Sequence, residues 1–302
     1  MSPHKFSVVS IGNFDALHQG HRLLIDQNLK IAKQHGLESV LLTFEPLPHE
    51  LFLSENSPAR LLKFREKWEL LKKYKINKFC ALKFNKKLAS MSAEEFVTDI
   101  LVKRLKAKYI VVGEDFCFGS KRQGNIKLLE QLGKSYDFQV LALKKQEYNH
   151  KIISSSWIRE LLKQSNFDLA NKLLTQPYSN TGKVIYGNQL GRELGCPTAN
   201  IPMLRKTSAL HGVYIVEVDG VDSNNHSWPG IASLGTRPAV GGESFLLEVH
   251  LFNFNKNIYG KKLKVTYLKK LRDEWMFDSL DELKKQINKD CEQAKEYFEE
   301  HA

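Results

Sequence analysis

Phe6-Ser7-Val8-Val9-Ser10-Ile11-Gly12-Asn13-Phe14-Asp15-Ala16-Leu17-His18-Gln19-Gly20-His21 is the stretch on which the reading of the fold turns. A short apolar run ends at Gly12, and a polar turn follows. Leu24, Ile25, Leu29, Ile31 and Ala32 then recur near helical spacing until Gly36. The pattern is strand, turn, helix. Glycine allows a tight turn and a close backbone approach to a ligand. A helix entered this way presents free N–H groups and the positive end of its dipole to a phosphate. His18 and His21 can each donate a hydrogen bond to a developing anion there. Their spacing alone would equally suit a surface turn carrying two unrelated histidines, and the strand-turn-helix context is what points to a phosphate site.

Outward from this stretch the alternation continues. Ser39–Phe44 and Lys78–Leu82 read as strands, with an amphipathic helix over Phe64–Tyr74 between them. A helix over Ala93–Leu105, a strand at Tyr109–Gly113, a helix over Asn125–Tyr136 and a strand at Phe138–Leu143 follow. This rhythm predicts a parallel sheet with helices on both faces and ligands at the carboxyl ends of its strands. Ser154–Lys163 and Asp168–Leu174 read as two closing helices. Turn chemistry at Gln176–Gly182 then gives way to β-branched and aromatic runs at Lys183–Tyr186, Val213–Val218, Gly230–Leu234, Phe245–Phe252 and Leu263–Leu268. That spacing predicts an antiparallel β-barrel, closed by a helix over Leu280–Phe298. Two domains are therefore expected, residues 1–175 and 176–302.

Charge divides in the same way. Residues 1–182 hold 29 Lys and Arg against 18 Asp and Glu, whereas residues 183–302 hold 16 of each. The net charge of +11 belongs wholly to the first part, which suits either an anionic partner or a basic solvated surface. No helix-turn-helix, zinc or RNA-recognition pattern accompanies it, so nucleic acid is not the expected partner. No apolar run approaches a membrane span, and the N-terminal residues do not read as a signal peptide. Cys80, Cys117, Cys196 and Cys291 are widely separated, without a Cys-x-x-Cys pair. A disulfide framework or zinc finger is not expected, and a reducing cytoplasm fits best.

The first motif resembles that of nucleotidyltransferases which join AMP to a phosphate or carboxylate. With Thr43–Glu50, Val112–Gly119 and Ile153–Arg159, it is similar to the bacterial bifunctional riboflavin kinase/FAD synthetase family over nearly the entire chain. The resemblance implies a Rossmann-like nucleotidyltransferase domain followed by a riboflavin kinase barrel. It also implies ATP as co-substrate, riboflavin, FMN and FAD as substrates and products, and Mg²⁺ for both reactions. His18, His21 and Arg159 would be catalytic in the first reaction. Gly12, Asn13, Phe14, Asp15, Gly20, Ser154, Ser155 and Ser156 would bind ATP phosphates. Ser154–Ser156 would cap a helix that places Arg159 one turn inside. An ordinary N-cap with an exposed arginine is the other reading of that run. Ala16, Cys117 and Ser156 depart from the family's commoner residues, and Ala16 would be strained at positive φ. The side chains of Glu114 and Asp115 suit either capping or the nucleotide pocket.

In the second part, Pro197-Thr198-Ala199-Asn200 matches a riboflavin kinase block. On an extended chain Thr198 and Asn200 point to one side, and their oxygens are hard ligands suited to Mg²⁺; a polar turn is the alternative. Gly187, Gly191 and Arg192 would bind ATP. In Phe245–Phe252, Leu247, Val249 and Leu251 face one way, and Leu246, Glu248 and His250 the other. The resemblance places the catalytic carboxylate at Glu248, which otherwise reads as a solvent-face residue. An alcohol nucleophile does need a base, whereas a phosphate nucleophile does not. Gly235–Gly242 resembles a loop near nucleotide and flavin, with Ala239 where threonine is usual. Arg272 resembles an arginine of a flap over the flavin, or else is an exposed strand-end charge.

Overall fold

A computed structural model describes residues 5–53, 57–187, 191, 195–203, 207–222, 226–239 and 242–301. Arg192, Val240 and Gly241 lie outside the described residues. The chain divides into two compact units, Met1–Ser155 and Ser156–Ala302.

In the first unit, β1 (Ser7–Ile11), β2 (Glu38–Glu45), β3 (Lys78–Lys83), β4 (Ala107–Gly113) and β5 (Gln139–Leu143) form one sheet in the order β3-β2-β1-β4-β5. Every pairing is parallel. Alternate residues serve opposite faces. Val9, Ile11, Val40, Leu42, Ile110 and Val112 pack with Phe96, Leu101 and Leu129 on one side. On the other, Val8 and Val111 meet Ala32, and Leu41 meets Ile25 and Leu71. Both faces are thus covered, as a parallel sheet requires.

Helix α1 (Gln19–His35) follows β1 and ends at Gly36, whose φ of 65° supplies the left-handed cap. Its buried Asn28 donates through Nδ2 to the Val8 and Val40 carbonyls, at 3.0 and 3.1 Å, and to Ser10 Oγ at 3.0 Å. This ties α1 to the strands beneath it. The short α2 (Pro48–Leu53) follows β2, and α3 (Phe64–Lys72) precedes β3. Beyond β3 come α4 (Lys86–Ala89) and α5 (Ala93–Glu95), and α5 runs into a π-wound segment, Phe96–Arg104. The expected helix at Ala93–Leu105 is therefore present, but wider in winding over most of its length. Helix α6 (Ile126–Tyr136) starts from an Asn125 cap, and a two-stranded hairpin, β6 (Glu147–Tyr148) and β7 (Lys151–Ile152), follows β5.

In the second unit, α7 (Ser155–Lys163, beginning at the boundary) and α8 (Phe167–Leu173) lead into six antiparallel strands. These are β8 (Ser179–Lys183), β9 (Ala199–Pro202), β10 (Gly212–Asp219), β11 (Trp228–Ala239), β12 (Gly242–Leu251) and β13 (Lys262–Arg272), ordered β8-β13-β10-β11-β12-β9. Beyond β8, the Ile185 N–H donates to the Asn200 carbonyl on β9 at 2.9 Å, so the sheet nearly closes into a barrel. Tyr214 and Tyr267 are almost fully buried and pack against Phe167 of α8. The terminal helix α9 (Leu280–Glu300) begins at Ser279, whose hydroxyl accepts from Glu282 N. Ile215 and Ile231 pack with Cys291 and Ala294 of α9.

Candidate active sites

The first site lies where β1 stands between β2 and β4, the point at which strand order reverses and an open parallel sheet leaves a crevice at its carboxyl edge. A cavity of about 920 Å³ opens there, reached by Gly12, Phe44, Gly113 and Leu143 near the ends of β1, β2, β4 and β5. His18 caps α1, and its Nδ1 accepts the His21 N–H at a long 3.4 Å. That contact leaves the His18 ring proton on Nε2. The His18 and His21 rings stack at 3.8 Å and 20°. Gly20 is needed for this packing, because a Cβ there would sit 3.1 Å from the His18 ring.

Both imidazoles are neutral. Burial lowers His18 to about 4, and burial with repulsion from His18 and Lys67 holds His21 well below its usual value. His21 Nδ1 is enclosed without a hydrogen-bond partner among the described residues. A buried polar nitrogen of this kind is costly unless a ligand satisfies it.

Lys67 was hidden in the sequence within a charged helix pattern. It is fully buried, and its Nζ donates to the Asn13 carbonyl at 2.5 Å. Thr43 Oγ1 donates to the same carbonyl at 3.2 Å. Burial brings the Lys67 ammonium down to about 8 against the pull of Asp15. Asp15 itself turns inward, and its carboxylate accepts from Leu61 N at 3.1 Å and Leu62 N at 3.3 Å. It thereby anchors the segment before α3. The turn's positive φ falls at Phe14 (48°) and Leu17 (47°), and Ala16 is not among the positive-φ residues. The departure from glycine at Ala16 therefore brings no backbone strain, and its small side chain is buried.

Glu114 Oε1 accepts the Lys145 N–H at 3.1 Å, and Asp115 pairs with Lys145 Nζ at 2.9 Å. The two acidic groups thus join the ends of β4 and β5 rather than capping a helix. Lys121, Arg122, Lys144 and Lys145 supply basic groups to the cavity, and Ser154 and Ser155 line it. An aromatic end is built by Phe44, Phe52 and Phe84, with ring separations of 5.7 and 5.8 Å. Ser156 and Arg159 belong to α7 in the second unit.

The second set of candidate residues lies on β12 and around β9, where Thr198 and Asn200 share a cavity with Val249 and Leu251 that Glu248 does not line. Leu247, Val249 and Leu251 are buried, while Glu248 and His250 are half-buried on the opposite face. Glu248 stands across from Asn200 of β9 on one side and Ser233 of β11 on the other. Thr198 and Asn200 both line a cavity of about 320 Å³. A Cβ at Gly187 would overlap the Asn200 amide, and one at Gly191 would approach Thr198 Oγ1 to 3.3 Å. Gly187 thus lets the backbone close on the Asn200 amide, and Gly191 is required first by the Cys196 carbonyl, which a Cβ there would overlap; Thr198 and Asn200 offer hard oxygens of the kind that fit Mg²⁺. Arg272 is not an exposed charge. It pairs with buried Asp290 of α9 at 2.8 Å and lies 4.9 Å from the Trp275 ring centre. The Gly235–Gly242 turn is only partly described, so its reading stays with the sequence.

The first unit therefore brings donors suited to phosphate groups to the carboxyl edge of its sheet, and the second sets oxygen ligands and a carboxylate on neighbouring strands, the layout of a two-part, nucleotide-dependent transferase. The FAD synthetase family matches residues 1–157, and the riboflavin kinase family matches residues 174–298. The chain is 44% identical over 295 residues to the bifunctional riboflavin kinase/FMN adenylyltransferase of Buchnera aphidicola subsp. Schizaphis graminum, covering 97% of this chain and 94% of that one. It is 39% identical to the protein of the same name from Escherichia coli (strain K12), covering 98% and 94%. A crystal structure described as a macrolide-efflux protein from Streptococcus pneumoniae superposes with a TM-score of 0.78 at 32% identity, covering 96% and 94%. In this chain no helix among the described residues is long and apolar enough to cross a membrane. The chain belongs to the bifunctional riboflavin kinase/FMN adenylyltransferase family.

Proposed function

We propose that the second unit phosphorylates riboflavin to FMN and that the first adenylylates FMN to FAD, both with ATP. The observation that carries this reading is the pair of stacked, neutral histidines at the entrance of α1, aimed into a cavity with basic groups and an aromatic end. The aromatic end suits a flat flavin ring, and the basic groups suit phosphates. An FMN phosphate oxygen attacks the α-phosphorus of ATP, a new P–O bond forms, and pyrophosphate departs. No proton need leave the nucleophile. Catalysis then rests on alignment and on N–H donors from α1, His18 and His21 that meet the growing charge. Gly12, Asn13, Phe14 and Gly20 shape the cradle, with Asn13 held by Lys67. Ser154, Ser155, Ser156 and Arg159 are assigned to the same ATP phosphates on the sequence motif.

In the kinase reaction, Glu248 takes the proton of the terminal ribityl hydroxyl as its oxygen attacks the γ-phosphorus and ADP leaves. Thr198 and Asn200 would hold Mg²⁺, which neutralises phosphate charge when bound. Gly187, Gly191 and Arg192 are assigned to ATP, and Arg272, already clasped by Asp290 and Trp275, to the flavin flap. On the sequence motifs the two activities are assigned to residues 1–175 and 176–302, while α7 and α8 pack within the compact second unit. In this reading the basic first unit serves small anions rather than nucleic acid or a membrane, and the enzyme works in the reducing cytoplasm. Incubation of the purified chain with riboflavin, ATP and Mg²⁺, followed by separation of the flavins, should give FMN and then FAD. FMN without FAD would assign a silent first unit, and no conversion of either flavin would overturn the proposal.

A further inference from the structure

We infer that Cys196, His250 and Cys291 form a binding site for a thiophilic divalent ion of the Zn²⁺ class, separate from the oxygen donors proposed for Mg²⁺. The three residues come from the loop before β9, from β12 and from α9, and one ligand atom of each lies within 4.8 Å of the others. The Cys196 and Cys291 sulfurs are 3.8 Å apart. Around a tetrahedral zinc, Zn–S bonds of about 2.3 Å put neighbouring sulfurs about 3.8 Å apart. A disulfide needs a separation of about 2.05 Å, so the observed spacing suits a shared ion better than a covalent bond.

His250 adds the nitrogen. It stands opposite Ile231 on the outer face of β12, beneath α9, in the same apolar region that holds both cysteines. Its Nδ1 lies 2.9 Å from the Pro197 carbonyl, which can only accept, so the ring proton sits on Nδ1 and Nε2 keeps its lone pair. A ligating histidine ordinarily has its other nitrogen bonded in this manner. Two thiolates and a neutral imidazole balance a divalent charge, which suits an apolar setting. On binding, two S–H bonds break, two metal–sulfur bonds form, and two protons pass to water. The ion would fasten α9 to the segment that runs from Cys196 to Thr198 and Asn200. Soft and hard donors therefore occupy neighbouring positions in one short segment leading into β9 and select different metals.

The test uses the full, untagged chain, stripped of metal and kept reduced with a phosphine under anaerobic conditions. Titration with Co²⁺ should saturate at one thiolate-ligated equivalent, with an intense near-ultraviolet charge-transfer band and tetrahedral visible bands that Zn²⁺ abolishes. Ions at the oxygen site give no such band, so the two sites are distinguishable. Cys196→Ser and Cys291→Ser should each weaken binding at least a hundredfold, and His250→Gln at least tenfold with altered visible bands. Cys80→Ser and Cys117→Ser should leave the spectrum intact. Alkylation mapping of the unaltered protein removes any dependence on variant folding: Zn²⁺ should protect Cys196 and Cys291 but not Cys117. Absence of the band in the unaltered protein, its persistence in the Cys196→Ser/Cys291→Ser double variant, or equal alkylation with and without Zn²⁺ would overturn the inference.

Discussion

Burial lowers His18 to about 4 and holds His21 well below its usual value, so the unfolded chain takes up protons below pH 6.5 where the folded chain does not. Stability therefore falls as pH drops from 6.5 towards 4, and the loss from His18 is complete below its folded value. That shift corresponds to about 3 kcal/mol at most. His18→Gln, which cannot titrate, should flatten the pH dependence of urea unfolding over this window; an unchanged slope would mean that His18 is not buried as a neutral ring. His21→Ala should lower FAD formation about a hundredfold, since one preorganised donor to developing charge is worth roughly 3 kcal/mol. FMN formation should persist, and intact FAD synthesis by the folded variant would remove His21 from the reaction. Glu248→Gln should lower riboflavin phosphorylation at least a hundredfold with a smaller change in riboflavin binding, while FMN supplied from outside is still adenylylated. Wild-type rates in both assays would return Glu248 to an ordinary face residue. These candidates were legible because each sits in a local motif. Lys67 was not, because Arg65-Glu66-Lys67-Trp68-Glu69 has the pattern of a solvated helix face and only tertiary packing buries its ammonium. The Cys196–Cys291 proximity was equally hidden, since the sulfurs meet across 95 residues of chain.

The strands and long helices of the first unit were readable at the level of elements, because period-2 and period-3.6 patterns survive wherever a face is buried. Val8 and Val9 illustrate this, adjacent in β1 yet packed into separate clusters on opposite faces. Short helices such as α2 and α4, and the two-residue strands of the β6–β7 hairpin, are too short to display a period. The π-winding at Phe96–Arg104 left no periodic signature that the reading used. At the second site the informative element is the segment at Gly187, brought against β9. Because its φ is not in the left-handed region, Gly187→Ala tests space rather than backbone strain. The added methyl would overlap the Asn200 amide, so either the segment or the amide must move. Riboflavin phosphorylation should fall at least tenfold, with a raised Mg²⁺ requirement, while FMN adenylylation is unchanged. If Mg²⁺ dependence stays wild type, Asn200 is not a metal ligand.

On the scale of the whole molecule, the composition break near residue 182 pointed to two parts, and the parallel and antiparallel sheets are those parts. Where one unit ends is a separate matter, decided by packing. The riboflavin kinase family match begins at residue 174, after α8, yet the compact second unit begins at Ser156. The reason is visible at Phe167, which is 3% exposed and has its ring 5.9 Å from Tyr214 and 6.2 Å from Tyr267. Ala170 and Leu173 are also fully buried. Helical turn chemistry could be read from the sequence around these positions, but not the surface on which the helix would settle. A fragment of residues 156–302 should fold cooperatively and phosphorylate riboflavin on its own. A fragment of residues 176–302 keeps every barrel strand but loses Phe167, whose removal from a packed core costs about 3 to 5 kcal/mol. It should unfold at markedly lower urea concentration, with kinase activity retained only in the fraction that remains folded. Equal stability of the two fragments would show that α8 is merely a connector. A folded but inactive 156–302 fragment, beside an active full chain, would instead show that riboflavin phosphorylation depends on the first unit and that the two reactions are not separable by domain.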